Sequence, residues 1–274
     1  MQFSYQIATP DLKFSPNVTC MQGDFAENVR FLASRGYDSV ELMTTYPKNV
    51  DWNWVREVLD RNGMSVSWVC SGELGLLGYT LGETEDALWE QSLGRIRELV
   101  DLAASFGVGV NIGNTKGRYQ PGVPREKTYA RAVEGFRRIC DYAGERGVNI
   151  AIETGAFVYI NFINTCREAE ELIQRVDREN LGIMLDLWHL YVEEKSIPET
   201  IARYGPICHH VHLADSNRMY PGAGNLDFDA ILQAFHDVGY DKAFSVEVRQ
   251  VPDSITAAGE AAKIIRPILS KIYH

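Results

Sequence analysis

Short apolar runs alternate along this chain with longer stretches in which apolar residues return at helical spacing, and the alternation persists from one end to the other. The first run, Phe3 to Ala8, precedes a helical pattern around Phe25 to Ser34 closed by Gly36. YDSVELMT precedes a helix from Trp52 to Arg61 that Gly63 closes as a C-terminal cap. SVSWVCS leads into a loop carrying Gly72, Gly75, Gly78 and Gly82, then a long helix from Glu85 to Ser105 ending at Gly107. VGVNIG is followed by the loop NTKGRYQPGVPR and a helix from Glu126 to Arg146, closed by Gly147. The second half repeats the scheme with the runs VNIAIET, LGIMLDL, CHHVHLADS and AFSVEVR. Its predicted helices are Thr165 to Val176, Ile197 to Tyr204, Phe228 to Val238 and Ser254 to Ile272. Eight strand-helix units in 274 residues match a (β/α)8 TIM barrel, an α/β fold of typically ~250 residues. A doubly wound open sheet is the competing arrangement, but GxGxxG is missing after the first strand. No linker or low-complexity tract divides the chain, so residues 1–274 are expected to form a single domain.

The last four apolar runs each stop at one residue able to bind a metal: Glu153, Asp186, His212 and Glu247. Residues two apart in a strand share a face, so Glu153 lies with Ala151, Asp186 with Met184, His212 with His210, and Glu247 with Ser245. The apolar residues between them face outward to the helices, which leaves each candidate as the last inward residue before its loop. The long loops 72–82, 114–125, 154–164 and 215–226 all follow strands, on the face where barrels of this kind carry their active sites. A single glutamate or histidine at a strand end ordinarily caps a loop or bridges a neighbour. Four on consecutive strands resist that explanation. Three carboxylates converging on one point repel one another at neutral pH, and a divalent cation is the simplest relief. The mixed oxygen and nitrogen set suits Mn²⁺, Co²⁺, Mg²⁺ or Zn²⁺.

Charge narrows the partners. A formal net charge of −10 and a pI near 5.1 argue against nucleic acid or an anionic membrane, both of which select a cationic face, and favour a small polar substrate. Five cysteines (Cys20, Cys70, Cys140, Cys166, Cys208) without a CxxC pair fit reduced core thiols and the cytosol. The start MQFSYQIATPDLKF has neither a basic leader nor an apolar run of signal-peptide length, so the expectation is a soluble cytoplasmic protein.

The runs IAIET, INFINT, IMLDLWH, HHVHLADSNRMYPGAGNLDF and FSVEV resemble the sugar isomerase/epimerase superfamily with the xylose-isomerase-like barrel. Within it they are most similar to ketose 3-epimerases and keto-sugar-acid epimerases. The resemblance implies one divalent metal per chain, Mn²⁺ foremost, held by Glu153, Asp186, His212 and Glu247. It also implies that Glu153 and Glu247 serve as the acid/base pair, that His189 and Arg218 contact the substrate, and that the protein is a homodimer or homotetramer. The expected reaction is epimerisation of a keto sugar or keto sugar acid. A proton leaves C3, next to the carbonyl, and returns on the opposite face of a metal-stabilised enediolate. An aldose-ketose or hydroxypyruvate-type isomerase is the alternative, and a metal-dependent dehydratase a more distant one. An apurinic-site endonuclease on this fold would need more metal ligands and a basic face. A sugar-binding protein without catalysis is the last alternative.

Several residues refine the expected substrate contacts. Ketose 3-epimerases carry a second glutamate six residues after the metal-binding one, where this chain has Tyr159, which puts a phenol in place of a carboxylate. The loop NTKGRYQPG brings Lys116 and Arg118 to the active face, which suits a sugar acid. Glu41, ending the second strand, is expected to line the pocket or bridge a neighbour. Trp188 reads as an apolar wall and His210 as a hydrogen-bonded core histidine one layer below His212. Tyr79, Tyr119, Phe157, Tyr159 and Tyr220 are expected as exposed aromatics of the long loops. The PGAG turn precedes the seventh helix and is not read as a phosphate cradle.

Overall fold

The structure is a computed structural model that describes residues 1–12 and 19–273. Its strands are β1 (Gln2–Ala8), β2 (Ser39–Met43), β3 (Ser65–Cys70), β4 (Gly109–Ile112), β5 (Ile150–Glu153), β6 (Leu181–Asp186), β7 (Cys208–Leu213) and β8 (Ala243–Val246). They pair in parallel in sequence order, and β8 pairs back onto β1, which closes the barrel. Around them run α1 (Phe25–Ser34), α2 (Trp52–Arg61), α3 (Gly72–Leu76), α4 (Asp86–Phe106), α5 (Arg125–Gly144), α6 (Cys166–Val176), α7 (Leu187–Glu193), α8 (Ile197–Tyr204), α9 (Phe228–Asp237) and α10 (Ser254–Ile272).

The helices begin where side chains satisfy their free N–H groups. Asp51 accepts from the Asn53 and Trp54 amides at the start of α2, and Thr165 with Glu168 forms a reciprocal capping box on α6. α4 ends at Gly107 in the left-handed region, as the Gly signal anticipates. Two helices escaped the periodicity because each is under two turns or so: α3, inside the Gly-rich loop, and α7, which springs directly from β6. Valines, isoleucines and leucines of the strands pack outward against the helices in one continuous core. The barrel interior holds a smaller cluster of Trp68, Ala151 and Met184, and Trp68 stacks on His210 with ring centroids 4.8 Å apart and planes 3° apart. This layer forms the floor beneath the four strand-end residues.

Candidate metal centre and active site

Glu153 ends β5, Asp186 ends β6, His212 lies within β7, and Glu247 stands one residue past β8. Each offers one ligand atom, and these atoms all lie within 4.8 Å of one another. His212 Nδ1 is 3.0 Å from Glu247 Oε2, 3.6 Å from Asp186 Oδ2 and 3.8 Å from Glu153 Oε1. The other ring nitrogen, Nε2, is 2.8 Å from Glu41 Oε2. A carboxylate on Nε2 fixes the tautomer that leaves Nδ1 as the lone-pair donor, the arrangement that orients histidine ligands in metal sites. Three carboxylates and one imidazole nitrogen so placed fit a divalent ion.

Glu41 takes the second of the two roles expected of it and bridges neighbours. It is fully buried one layer beneath the quartet, where it also takes His210 Nε2 at 2.9 Å and Gln6 Nε2 at 3.2 Å. From there its carboxylate supports His212. His212 and His210 together hold it well below the usual carboxylate range despite its burial. His210 is the core histidine that the strand alternation indicated.

Asp186 has a double task. Its Oδ1 accepts from the Trp188 amide at 2.9 Å and the His189 amide at 3.0 Å, so the candidate ligand is also the cap of α7. This puts His189 on the first turn of a helix that the sequence pattern did not predict. His189 is buried, and its Nδ1 accepts from the Ala156 amide at 3.0 Å, so its proton sits on Nε2, 3.7 Å from Glu153 Oε1. Burial pulls its pKa down to about 4, which keeps the ring a neutral donor at pH 7.

Arg218, expected at the substrate, engages Asp186 with its guanidinium at 2.6 and 2.5 Å and also Glu247. Asp215 turns to the loop itself and accepts from the Ser216, Gly222 and Leu226 amides, which tie down the PGAG turn. Burial pushes the Asp186 and Glu247 carboxyls up, but Arg218 and His212 together, with His189 beside Asp186, hold both low. Glu247 also receives the Thr19 hydroxyl at 2.7 Å, a contact that no sequence signal announced. Glu153 has no hydrogen-bond donor among the described residues, and burial together with Glu247 pushes it up to about 8. Its Oε2 lies so close to Gly113 that a Cβ there would force the carboxylate to move.

The remaining expected contacts lie farther out. Tyr159 is 57% exposed with its ring 5.2 Å from that of Trp188, which in turn lies over the Arg218 guanidinium. Arg118 is exposed and donates to the Tyr159 carbonyl at 3.5 Å. Of the loop aromatics, Phe157 and Tyr159 are exposed as expected, whereas Tyr79, Tyr119 and Tyr220 pack against the core. No helix among the described residues is long and apolar enough to cross a membrane.

Comparison with known proteins agrees with this geometry. The family model described as the xylose isomerase-like TIM barrel matches residues 29–268. The chain belongs to that family. Among curated members of similar sequence, the ketose 3-epimerase of Arthrobacter globiformis is 29% identical over 225 residues, 79% of this chain and 76% of that protein. The 3-dehydro-D-guloside 4-epimerase of Escherichia coli is 26% identical over 235 residues, 80% and 86% of the two chains. The crystal structure of D-allulose 3-epimerase from Methylomonas sp. in complex with D-allulose superposes with a TM-score of 0.79 at 22% identity, covering 97% of this chain and 96% of that one. The family barrel is thus present in full, with the quartet at the C-terminal ends of its strands.

A titration follows from the electrostatics. Burial opposes the charged form of His212, but Glu41 and Glu247 outweigh it and hold the imidazole well above its ordinary value. In the metal-free protein His212 and Glu153 both carry protons at pH 7, and both must lose them to coordinate. Calorimetry of Mn²⁺ binding at pH 7 in buffers of different ionisation enthalpy should report release of about two protons per ion. The apparent affinity should rise with pH, with Glu153 contributing to the rise up to about 8 and His212 for as long as it remains protonated. Binding independent of buffer and pH would contradict this assignment.

Proposed function

We propose that the chain is a divalent-metal-dependent epimerase of a keto sugar or keto sugar acid that inverts the carbon next to the carbonyl, C3. The observation that carries this reading is the convergence of Glu153 and Glu247, from strands three places apart around the ring, on one point shared with Asp186 and His212. Epimerisation needs a proton taken from one face of a planar intermediate and returned to the other, and two carboxylates reaching the same centre from different strands provide that. Both named relatives are epimerases, which supports the same class here.

Glu153, Asp186, His212 and Glu247 would hold the ion, Mn²⁺ by preference. When bound, such an ion supplies Lewis acidity that lets a C–H beside a carbonyl lose its proton near neutral pH. The chain's own residues do the rest. Each glutamate moves a proton at a carboxylate oxygen, and the two exchange roles when the reaction runs backward. His189, neutral and with its proton on Nε2, donates to the substrate oxygen that gains charge. Arg218 keeps Asp186 and Glu247 ionised and in place. Trp188 and Tyr159 wall the mouth against water.

A second reading places the carbonyl at C3 and the inversion at C4. The Escherichia coli relative is named a 4-epimerase of a 3-dehydro sugar, and Tyr159 departs from the glutamate of ketose 3-epimerases. One experiment serves both readings. The Mn²⁺-loaded protein is incubated in D₂O with a panel of ketoses, keto-uronates and 3-keto-glycosides, and NMR locates the deuterium. Label at C3 with inversion supports the first reading and label at C4 the second, whereas transfer between C1 and C2 would identify an isomerase. No exchange at any α-carbon would overturn both. A homodimer or homotetramer in the cytosol completes the proposal; exposed Phe157, Val158 and Tyr159 in the loop after β5, and Tyr191 on α7, support the assembly.

A further inference from the structure

The most unusual side chain outside the quartet is Lys116, in the loop after β4. It is only 1% exposed, among the largest fully buried side chains in the protein. A lysine ammonium carries three N–H donors, and a buried one is ordinarily paired. Among the described residues, Nζ has a single hydrogen-bond acceptor, the Gly113 carbonyl at 3.2 Å, and no carboxylate within ion-pair distance. It rests directly against Gly155, where an added Cβ would stand 3.1 Å from Nζ. Gly113 and Gly155 flank Glu153, so the ammonium reaches the wall of the metal centre. Arg118, two residues on, adds a second cation whose hydrogen-bond partner among the described residues is a backbone carbonyl.

Resting on the epimerase reading above, we propose that Lys116, with Arg118 behind it, forms a carboxylate subsite on the β4–β5 side of the centre, and that the substrate is a keto sugar acid. A protein with a net charge of −10 repels anions at long range, so an anionic substrate needs local cations to hold it. Two basic residues on one loop, neither in an ion pair with a carboxylate among the described residues, meet that need. One buried ammonium matches a single negative charge and leaves donors free for two carboxylate oxygens. A phosphate ester fits less well, because the segment after β8 reads EVRQVPDS and supplies no glycine amides to cradle it. The competing role for Lys116 is to balance the charge of Glu153, and it makes a different prediction.

Fructose and fructuronate differ by a terminal carboxylate and serve as probes. Calorimetry on the metal-loaded and the metal-free protein should show fructuronate bound at least tenfold more tightly than fructose. Lys116→Met should erase about tenfold or more of that preference, and Lys116→Arg should recover most of it. Arg118→Gln, an exposed change that spares folding, should reduce the preference about threefold, so the idea can be tested even if Lys116→Met does not fold. Equal binding of the two probes to the wild-type protein would overturn the subsite. Equal weakening of both in Lys116→Met would assign the lysine to charge balance and overturn it as well. A preference for fructuronate without α-proton exchange on any substrate would leave the subsite standing and remove the epimerase reading.

Discussion

Glu247→Gln and Glu153→Gln should each slow α-proton exchange by about 10³-fold, the size of effect that a positioned proton-transfer group supplies. The amide keeps an oxygen for the ion and nearly the same shape, but it neither takes nor returns a proton. In Glu247→Gln the new amide meets Arg218, His212 Nδ1 and the Thr19 hydroxyl, so some metal affinity should be lost with the chemistry. Glu153→Gln replaces a side chain with no donor among the described residues and should disturb coordination less. Metal stoichiometry measured beside the deuterium wash-in separates the two losses. Exchange within tenfold of wild type in either fully loaded variant would remove that glutamate from the acid/base pair.

The second large effect lies one layer down. Glu41→Ala should cost about 3 kcal/mol of stability, because it breaks a fully buried charge pair and strands the His212 and His210 imidazoles. For a chain of this size that corresponds to a fall in melting temperature of roughly 10 °C. Mn²⁺ affinity should drop by about 10- to 100-fold, since His212 loses the partner that selects its tautomer. Glu41→Gln keeps a hydrogen-bond acceptor, so it should recover part of the stability and less of the affinity. A Glu41→Ala variant with wild-type melting and metal binding would refute the supporting role.

The barrel and the quartet were legible in the sequence for the same reason. Each depends on strand alternation, and the residues that alternate inward at Glu153, Asp186 and Glu247 are ionisable, which stands out against apolar neighbours. α2, α8 and α10 were bounded to the residue because caps and glycines mark their ends. What stayed hidden depends on tertiary neighbours. Nothing local distinguishes a glutamate that lines a pocket from one clamped between two histidines, because the histidines beside Glu41 come from β7, on the other side of the ring. Asp186 as the cap of α7 was masked by its more obvious reading as a ligand. Arg218 matched a substrate-contact pattern, and only the folded loop shows its guanidinium already held by Asp186 and Glu247. The burial of Lys116 was equally unreadable, because a lysine in a Gly-rich loop has the sequence signature of a solvated one.

The backbone at Arg218 has φ 64°, a left-handed conformation that costs a residue with a Cβ about 1 kcal/mol and that glycine adopts freely. The Asp215 latch to three backbone amides is what makes that conformation tolerable. A position where the main chain favours glycine but an arginine stands is one where the fold accepts a standing loss of stability to deliver one guanidinium to one point. The turn after β7 is best understood as a rigid bracket for that group, built to a tolerance that a flexible loop could not keep.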